Sequence, residues 1–155
     1  VFIARKEKFK VQENVRKFVQ TENLANYIDE ENLRTFAMDV SACRKDLQNL
    51  ILDLRLQGKR IAAVSAPAKG MTLLNYCRLG PETLSFVTEK SRLKIGRYCP
   101  GVHIPVVEDA ELIKQNIEFA LLLAWNFSEE IISNLSEFKN KGGKFIIPIP
   151  TPKII

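Results

Sequence analysis

Apolar positions along the chain follow two periods, and the change from one to the other lays out its elements. Between residues 13 and 56 the spacing is helical. Val15, Phe18 and Val19 recur at steps of three and four, as do Leu24, Tyr27 and Ile28 beyond them. A longer series follows in Leu33, Phe36, Val40, Cys43, Leu47, Leu50, Ile51 and Leu54. It predicts one long helix with a buried face, packed on a sheet. Asp29 stands where a side-chain oxygen caps the first turn, and Gly58 with Lys59 and Arg60 closes the last. From Ile61 the period changes. Ile61 to Val64 is a run without polar positions, which reads as a strand covered on both faces. Ser65 to Gly70 interrupts it with small residues, a proline, a glycine and one cation, and helical spacing returns from Met71 to Tyr76.

Further elements alternate. Leu79-Gly80-Pro81 is a turn and Thr83 to Thr88 a strand. Val106-Val107 is a short strand, after which Asp109 caps a short helix through Ile113. Ile117 to Trp125 is the most apolar run and predicts a central strand. Ser128-Glu129-Glu130 opens a helix that runs through Leu135 to Phe138 and ends at Gly142-Gly143. Lys144 to Ile149 is the last strand, and its prolines suggest an edge position. Strands alternating with helices predict the α/β class, a mostly parallel sheet wrapped by helices.

Composition narrows the function classes. At 155 residues the chain fits a single core. Its 46% hydrophobic and 26% charged residues are ordinary for a globular protein. A net charge of +5 suits an acidic ligand but lacks the patch that nucleic-acid binding needs. No apolar run reaches the ~18 residues of a membrane span. Cys43, Cys77 and Cys99 are odd in number and widely spaced, so they fit neither a zinc set nor a disulfide framework. They read as reduced, buried thiols of a cytoplasmic protein. The basic, apolar-interleaved start, residues 1–12, reads as a strand end and linker from a missing preceding domain, and residues 13–155 as the domain proper. The absence of an initial Met agrees with a fragment.

Candidate chemistry gathers at one edge of the predicted sheet. Lys69, Glu89, the loop from Lys90 to Arg97, and Trp125-Asn126 all fall just past the C-terminal ends of strands, where open α/β sheets bind ligands. Glu89 lies about 20 residues past the first turn, the spacing of a ribose-binding carboxylate; a solvated loop glutamate is the competing reading. Lys90, Arg92, Lys94 and Arg97 suit a phosphate or diphosphate, or form a plain solvated loop. His103, the single histidine, is either a general base or a hydrogen-bonded structural residue. The turn after Val64 lacks both G-x-G-x-x-G and G-x-x-x-x-G-K-[ST], and no G-x-S-x-G, H-E-x-x-H or C-x-x-C occurs. No catalytic residue and no metal ligand is therefore assigned.

Four blocks then carry a resemblance. Ala66-Pro67-Ala68-Lys69-Gly70-x-Thr72-Leu73-Leu74-Asn75-Tyr76-Cys77 is the first, and Lys94-x-Gly96-Arg97-Tyr98-x-Pro100-Gly101-x-His103-Ile104-Pro105 the second. Leu123-Ala124-Trp125-Asn126 with Glu130-Ile131 is the third, and Gly142-Gly143-x-Phe145 with the proline-rich end the fourth. In this order and spacing, from about Glu22 to Pro150, they resemble the C-terminal domain of S-adenosylmethionine-dependent sugar C-methyltransferases. The resemblance implies a Rossmann-like three-layer sandwich with N-terminal helices. It implies the substrate-binding part of a three-domain enzyme, whose zinc-binding and S-adenosylmethionine-binding domains are absent here. The transfer it implies places a methyl group on a sugar carbon beside a keto group, with the base on another domain. Substrate contacts implied by the motif match are Lys69, Thr72, Asn75, Arg97, Trp125 and Asn126; Glu89 joins them by position. Implied partners are a nucleotide-linked (deoxy)sugar and the preceding S-adenosylmethionine-binding domain, and this chain itself holds no cofactor. Ala63-Val64-Ser65 departs from the family's Gly-x-Gly, which keeps a phosphate farther from the backbone. Two alternatives stand beside this reading: a packing or homodimerisation module using the helix from Asp29 to Leu56, and a stand-alone nucleotide-binding domain.

Overall fold

A computed structural model describes residues Ile3–Ile155, and its sheet is built outward from one strand. That strand, β1 (Ile61–Val64), is buried at all four positions. It pairs in parallel with β2 (Val87–Thr88) on one side and β4 (Phe119–Leu122) on the other. β3 (Val106–Val107) and β5 (Lys144–Ile147) extend the two sides in parallel, and β6 (Lys153–Ile154) adds an antiparallel edge. The order 3-2-1-4-5-6 is that of a doubly wound Rossmann sheet. The expected α/β class, with a mostly parallel sheet and helices before it, is the fold observed.

Pleating sorts β1 between two cores. Ile61 and Ala63 meet Leu47, Ile51 and Leu54 of α2 (Glu30–Leu56) and Leu73, Leu74 and Cys77 of α3 (Ala68–Cys77). Ala62 and Val64 face the other way, toward Leu112 of α4 (Glu111–Lys114), Leu135, and Phe138 of α6 (Ser136–Asn140). The result is a three-layer sandwich. Helix ends explain the entry into it. Gly58, at φ +74, closes α2: its N–H donates to the Arg55 carbonyl at 2.8 Å and that of Lys59 to Leu54 at 3.0 Å. Arg78 closes α3 in the same way at φ +51, a conformation that favours glycine.

The chain divides into two compact units after Val40. In the first, Ile3–Gln12 forms turns and bends, so no strand end is found there; Val1 and Phe2 lie outside the described residues. α1 (Glu13–Leu24) buries none of its side chains. The helical spacing of Leu24, Tyr27 and Ile28 is not realised, because Asn26 at φ +49 reverses the chain into a turn. Asp29 does cap α2, its Oδ2 accepting from the Glu31 N–H at 3.2 Å. The predicted buried face of α2 is found in its second half, whereas Leu33 and Phe36 are exposed.

Six details differ from expectation. α3 begins at Ala68 rather than Met71, because Gly70 and Met71 already donate to the Pro67 carbonyl. β2 does not begin at Thr83, since Thr83 and Leu84 donate back to the Gly80 carbonyl and form a turn. β4 stops at Leu122, and the apolar run continues as a 3₁₀ turn over Trp125–Phe127. Asp109 supplies no side-chain cap to α4, whose N-cap position is Ala110. The helix from Ser128 is broken into α5 (Ser128–Asn134) and α6 by Leu135, whose ψ of +29 turns the chain there and whose side chain is buried. β5 is interior rather than an edge: Pro148 and Pro150 lie beyond it, remove none of its ladder donors, and lead the chain back as β6.

Candidate ligand site at the switch point

In a 3-2-1-4-5-6 sheet the crevice opens between β1 and β4, where the chain changes its direction of winding. β1 exits through Ser65, which holds φ +69, and through Ala66 and Pro67 into α3. A side chain at Gly70 would place its Cβ 2.7 Å from the Leu123 Cβ, so the first turn of α3 lies directly against the exit of β4. That close approach brings together residues far apart in sequence. The Lys69 ammonium stands 4.3 Å from the centre of the Trp125 ring and donates to the Asn126 Oδ1. Lys69 and Trp125 are half-buried and Asn126 is exposed. An ammonium has three donors; one is used on Asn126, which leaves capacity for an incoming anion beside an aromatic face.

Glu89, at the exit of β2, is bound inward. Its Oε2 accepts from the Ala66 N–H at 3.2 Å and from Lys94 Nζ at 3.0 Å. Its Oε1 accepts from the N–H groups of Lys90 at 2.9 Å and Ser91 at 3.3 Å. These four bonds account for the acceptor sites of a carboxylate, and the side chain is only 14% exposed. Burial is the largest single influence on its pKa and pushes it up. The bonds from Lys94, Ser91, Lys90 and Ala66 together outweigh it and hold the carboxyl below the ordinary glutamate range. Lys94 Nζ also donates to the Ala66 carbonyl at 3.0 Å, so both sides of this residue's backbone are tied to the Glu89–Lys94 pair.

The remaining candidates are spread along α3 and the loop. Thr72, one turn beyond Lys69, is exposed, with its hydroxyl 3.4 Å from the Ala68 carbonyl. Asn75 uses its amide nitrogen on the carbonyls of Met71, at 2.8 Å, and Pro100, at 3.1 Å, which pins the turn around Pro100 to α3. Arg97 is exposed on a strip whose backbone pairs with Val106. His103 is exposed at φ +55, its ring centre 6.5 Å from that of Tyr98. Thus Lys69, Trp125 and Asn126 form one cluster, Glu89 stands at the neighbouring turn, and Asn75 is engaged with backbone. Lys94, grouped in the sequence with the loop cations suited to a phosphate, is instead spent on Glu89: a five-residue separation belongs to no regular period, so only the fold reveals the pair. Among the described residues no group of three His, Cys, Asp or Glu side chains is placed to hold a metal, and no helix is long and apolar enough to cross a membrane. Burial raises the pKa of all three thiols, that of Cys77 to about 11.

Lys69, Trp125 and Asn126 all lie in the stretch, residues 1–150, that matches the model of the C-methyltransferase C-terminal domain. The chain belongs to that family. C-methyltransferase NovU of Streptomyces niveus is 38% identical to it over 122 residues, which cover 79% of this chain and 29% of that protein. This C-methyltransferase C-terminal domain therefore spans under a third of the length of that relative. Within it, the left-handed backbone at Ser65 falls in the segment where a Gly-x-Gly is expected. The turn keeps a glycine-like conformation and carries a side chain there.

Proposed function

We propose that this chain is the C-terminal substrate-binding domain of an S-adenosylmethionine-dependent C-methyltransferase acting on a nucleotide-linked (deoxy)sugar. The observation that carries this reading is the Lys69–Trp125–Asn126 cluster at the β1/β4 switch point. Lys69 supplies charge for a diphosphate, the Trp125 face supplies a stacking surface for a sugar or base, and Asn126 supplies an amide for hydroxyl groups. Thr72 extends the same face of α3 by one turn, and Arg97 adds a second cation for the nucleotide phosphates. Asn75 serves by holding the Pro100 turn.

S-adenosylmethionine supplies an electrophilic methyl group, and its binding is assigned to another part of a longer polypeptide. The switch point of this chain does not suit it: Ser65 and Ala66 carry side chains where a cofactor cradle needs bare backbone, and Glu89 has no acceptor left for ribose hydroxyls. The work of this chain is to bind and orient the sugar nucleotide, and no proton transfer is assigned to it. A second reading concerns the first unit, where Phe18, Val19, Ile28, Leu33 and Phe36 are exposed. They suit packing against the rest of the polypeptide or a second copy, and sedimentation of the chain as a clean monomer would remove the second copy.

Trp125 is the single tryptophan, so ligand binding is read directly from its emission. Titration with a nucleoside-diphosphate sugar is expected to give a saturable change, weakened about tenfold in Lys69→Ala by loss of one charge-assisted contact. S-adenosylmethionine is expected to give none. A flat response to every nucleoside-diphosphate sugar sinks the reading.

A further inference from the structure

The β1–α3 turn of a doubly wound sheet is where backbone N–H groups ordinarily meet a phosphate. Here the Ala66 N–H already has an anionic partner, and it comes from the chain itself. We propose that Glu89 is a specificity-determining residue: its carboxylate, clamped by Lys94, fills the anion position of the β1–α3 turn and turns an incoming phosphate toward Lys69 on the Trp125 side.

Four observations converge on this. The carboxylate is largely shielded and has a donor at each of its acceptor sites, so no ligand hydroxyl or amide need be present to satisfy it. Lys94 joins the carboxylate to the Ala66 carbonyl, which fixes the peptide that a phosphate would otherwise approach. Ser65 keeps the turn in the left-handed conformation while adding a side chain that excludes close contact with the backbone. The cation one turn farther on, Lys69, is directed away to Asn126 and the indole. A phosphate near this turn therefore meets a negative charge at Ala66 and a positive charge at Lys69. The exit of β2, where a dinucleotide's ribose is usually held, is closed by the same residue. The turn has the shape of a cofactor site and the charge of an occupied one.

This role for Glu89 rests on the reading of Lys69 as a phosphate-binding cation, but not on the phosphate being that of a sugar nucleotide. Binding of inorganic pyrophosphate to the 155-residue chain is followed by Trp125 emission in the wild type, Glu89→Gln and Lys94→Met. E89Q removes the internal anion and frees Lys94, so pyrophosphate is expected to bind roughly tenfold tighter. K94M leaves the carboxylate uncompensated and is expected to bind it more weakly than the wild type. A brace that merely holds the turn predicts weaker binding in both variants, and equal or weaker binding by folded E89Q overturns the proposal. If E89Q does not fold, Glu89→Ala takes its place and is judged in the same way, and K94M affinity equal to or above the wild type overturns the proposal in either case. Gain by E89Q in a chain whose wild type ignores every nucleoside-diphosphate sugar would sink the proposed function and leave this inference standing. The reverse pattern would sink this inference alone.

Discussion

Replacing Gly70 by alanine sets two effects of known size against each other. Alanine is better than glycine in a helix interior by about 1 kcal/mol. The new Cβ, however, would stand 2.7 Å from the Leu123 Cβ and 3.3 Å from both Leu123 Cδ1 and Pro67 Cδ. Carbon atoms pack best at about 3.5–4.0 Å, so the nearest approach is roughly 0.8 Å too short. The tip of a side chain can swing aside, but the Leu123 Cβ is fixed to backbone whose N–H bonds to the Val64 carbonyl at 3.0 Å. Relief has to come from moving α3. Overpacking of this kind costs about 1–3 kcal/mol, which leaves a net loss of about 0–2 kcal/mol after the gain in propensity. At a central loss of about 1 kcal/mol, Tm falls by about 2–4 °C in a chain of this length. The same movement draws Lys69 away from the indole, so Trp125 emission is expected to change at room temperature, well below the melt. Circular-dichroism melts and emission spectra on one sample test both parts. A Tm at or above that of the wild type, with an unaltered Trp125 spectrum, would refute the reasoning.

Arg78 holds φ +51 at the close of α3, where an L side chain costs roughly 1 kcal/mol. Arg78→Gly is expected to raise Tm by a few degrees, and a fall would show that the arginine side chain contributes more than its backbone loses. The Glu118 carboxyl is held below the ordinary glutamate range, chiefly by Lys59, 2.8 Å away, and then by the Arg60 N–H. Glu89 is lowered as well, its four donors outweighing its burial. Groups whose pKa is lower folded than unfolded stabilise fully above their unfolded value and lose that contribution as pH falls through the folded one. Tm is therefore expected to drop on acidification below the ordinary value of 4.5. The drop is expected to be shallower in Glu89→Gln and Glu118→Gln; identical acid slopes in all three proteins would rule this out.

Much of the fold was legible because it is written in local pattern. The four apolar residues of β1 announce a strand buried on both faces, and Asp29 and Gly58 bracket α2 almost to the residue. The misreadings fall where a turn outweighs residue preference or where a distant part of the chain decides. Thr83 has the side chain of a strand residue, but the nearby Gly80 carbonyl draws it into a turn. Lys153 and Ile154 carry no strand signal of their own and become β6 because β5 offers a free edge. Leu33 and Phe36 share the period of Leu47 and Ile51, and period alone does not say which part of a long amphipathic helix its own chain will cover. At the candidate site, position relative to strand ends was enough to select Lys69, Trp125 and Asn126, but not to show that they touch. Glu89 was placed correctly at the end of β2. The direction of its side chain depends on Lys94 and on the Ala66 peptide, which no spacing rule connects to it.

The sheet also separates two histories of change. Among the described residues no buried side chain belongs to both cores: one joins α2 and α3 to Ile61, Ala63 and Leu121, the other joins Phe138 and Phe145 to Ala62 and Val64. Substitutions without shared partners add nearly independently. A lineage that reshapes the α3 side, and with it the ground on which Lys69 stands, draws on the stability of the opposite layer without having to repack it. The Phe138–Phe145 half is then a reserve, which lets the α3 half change while the domain stays folded.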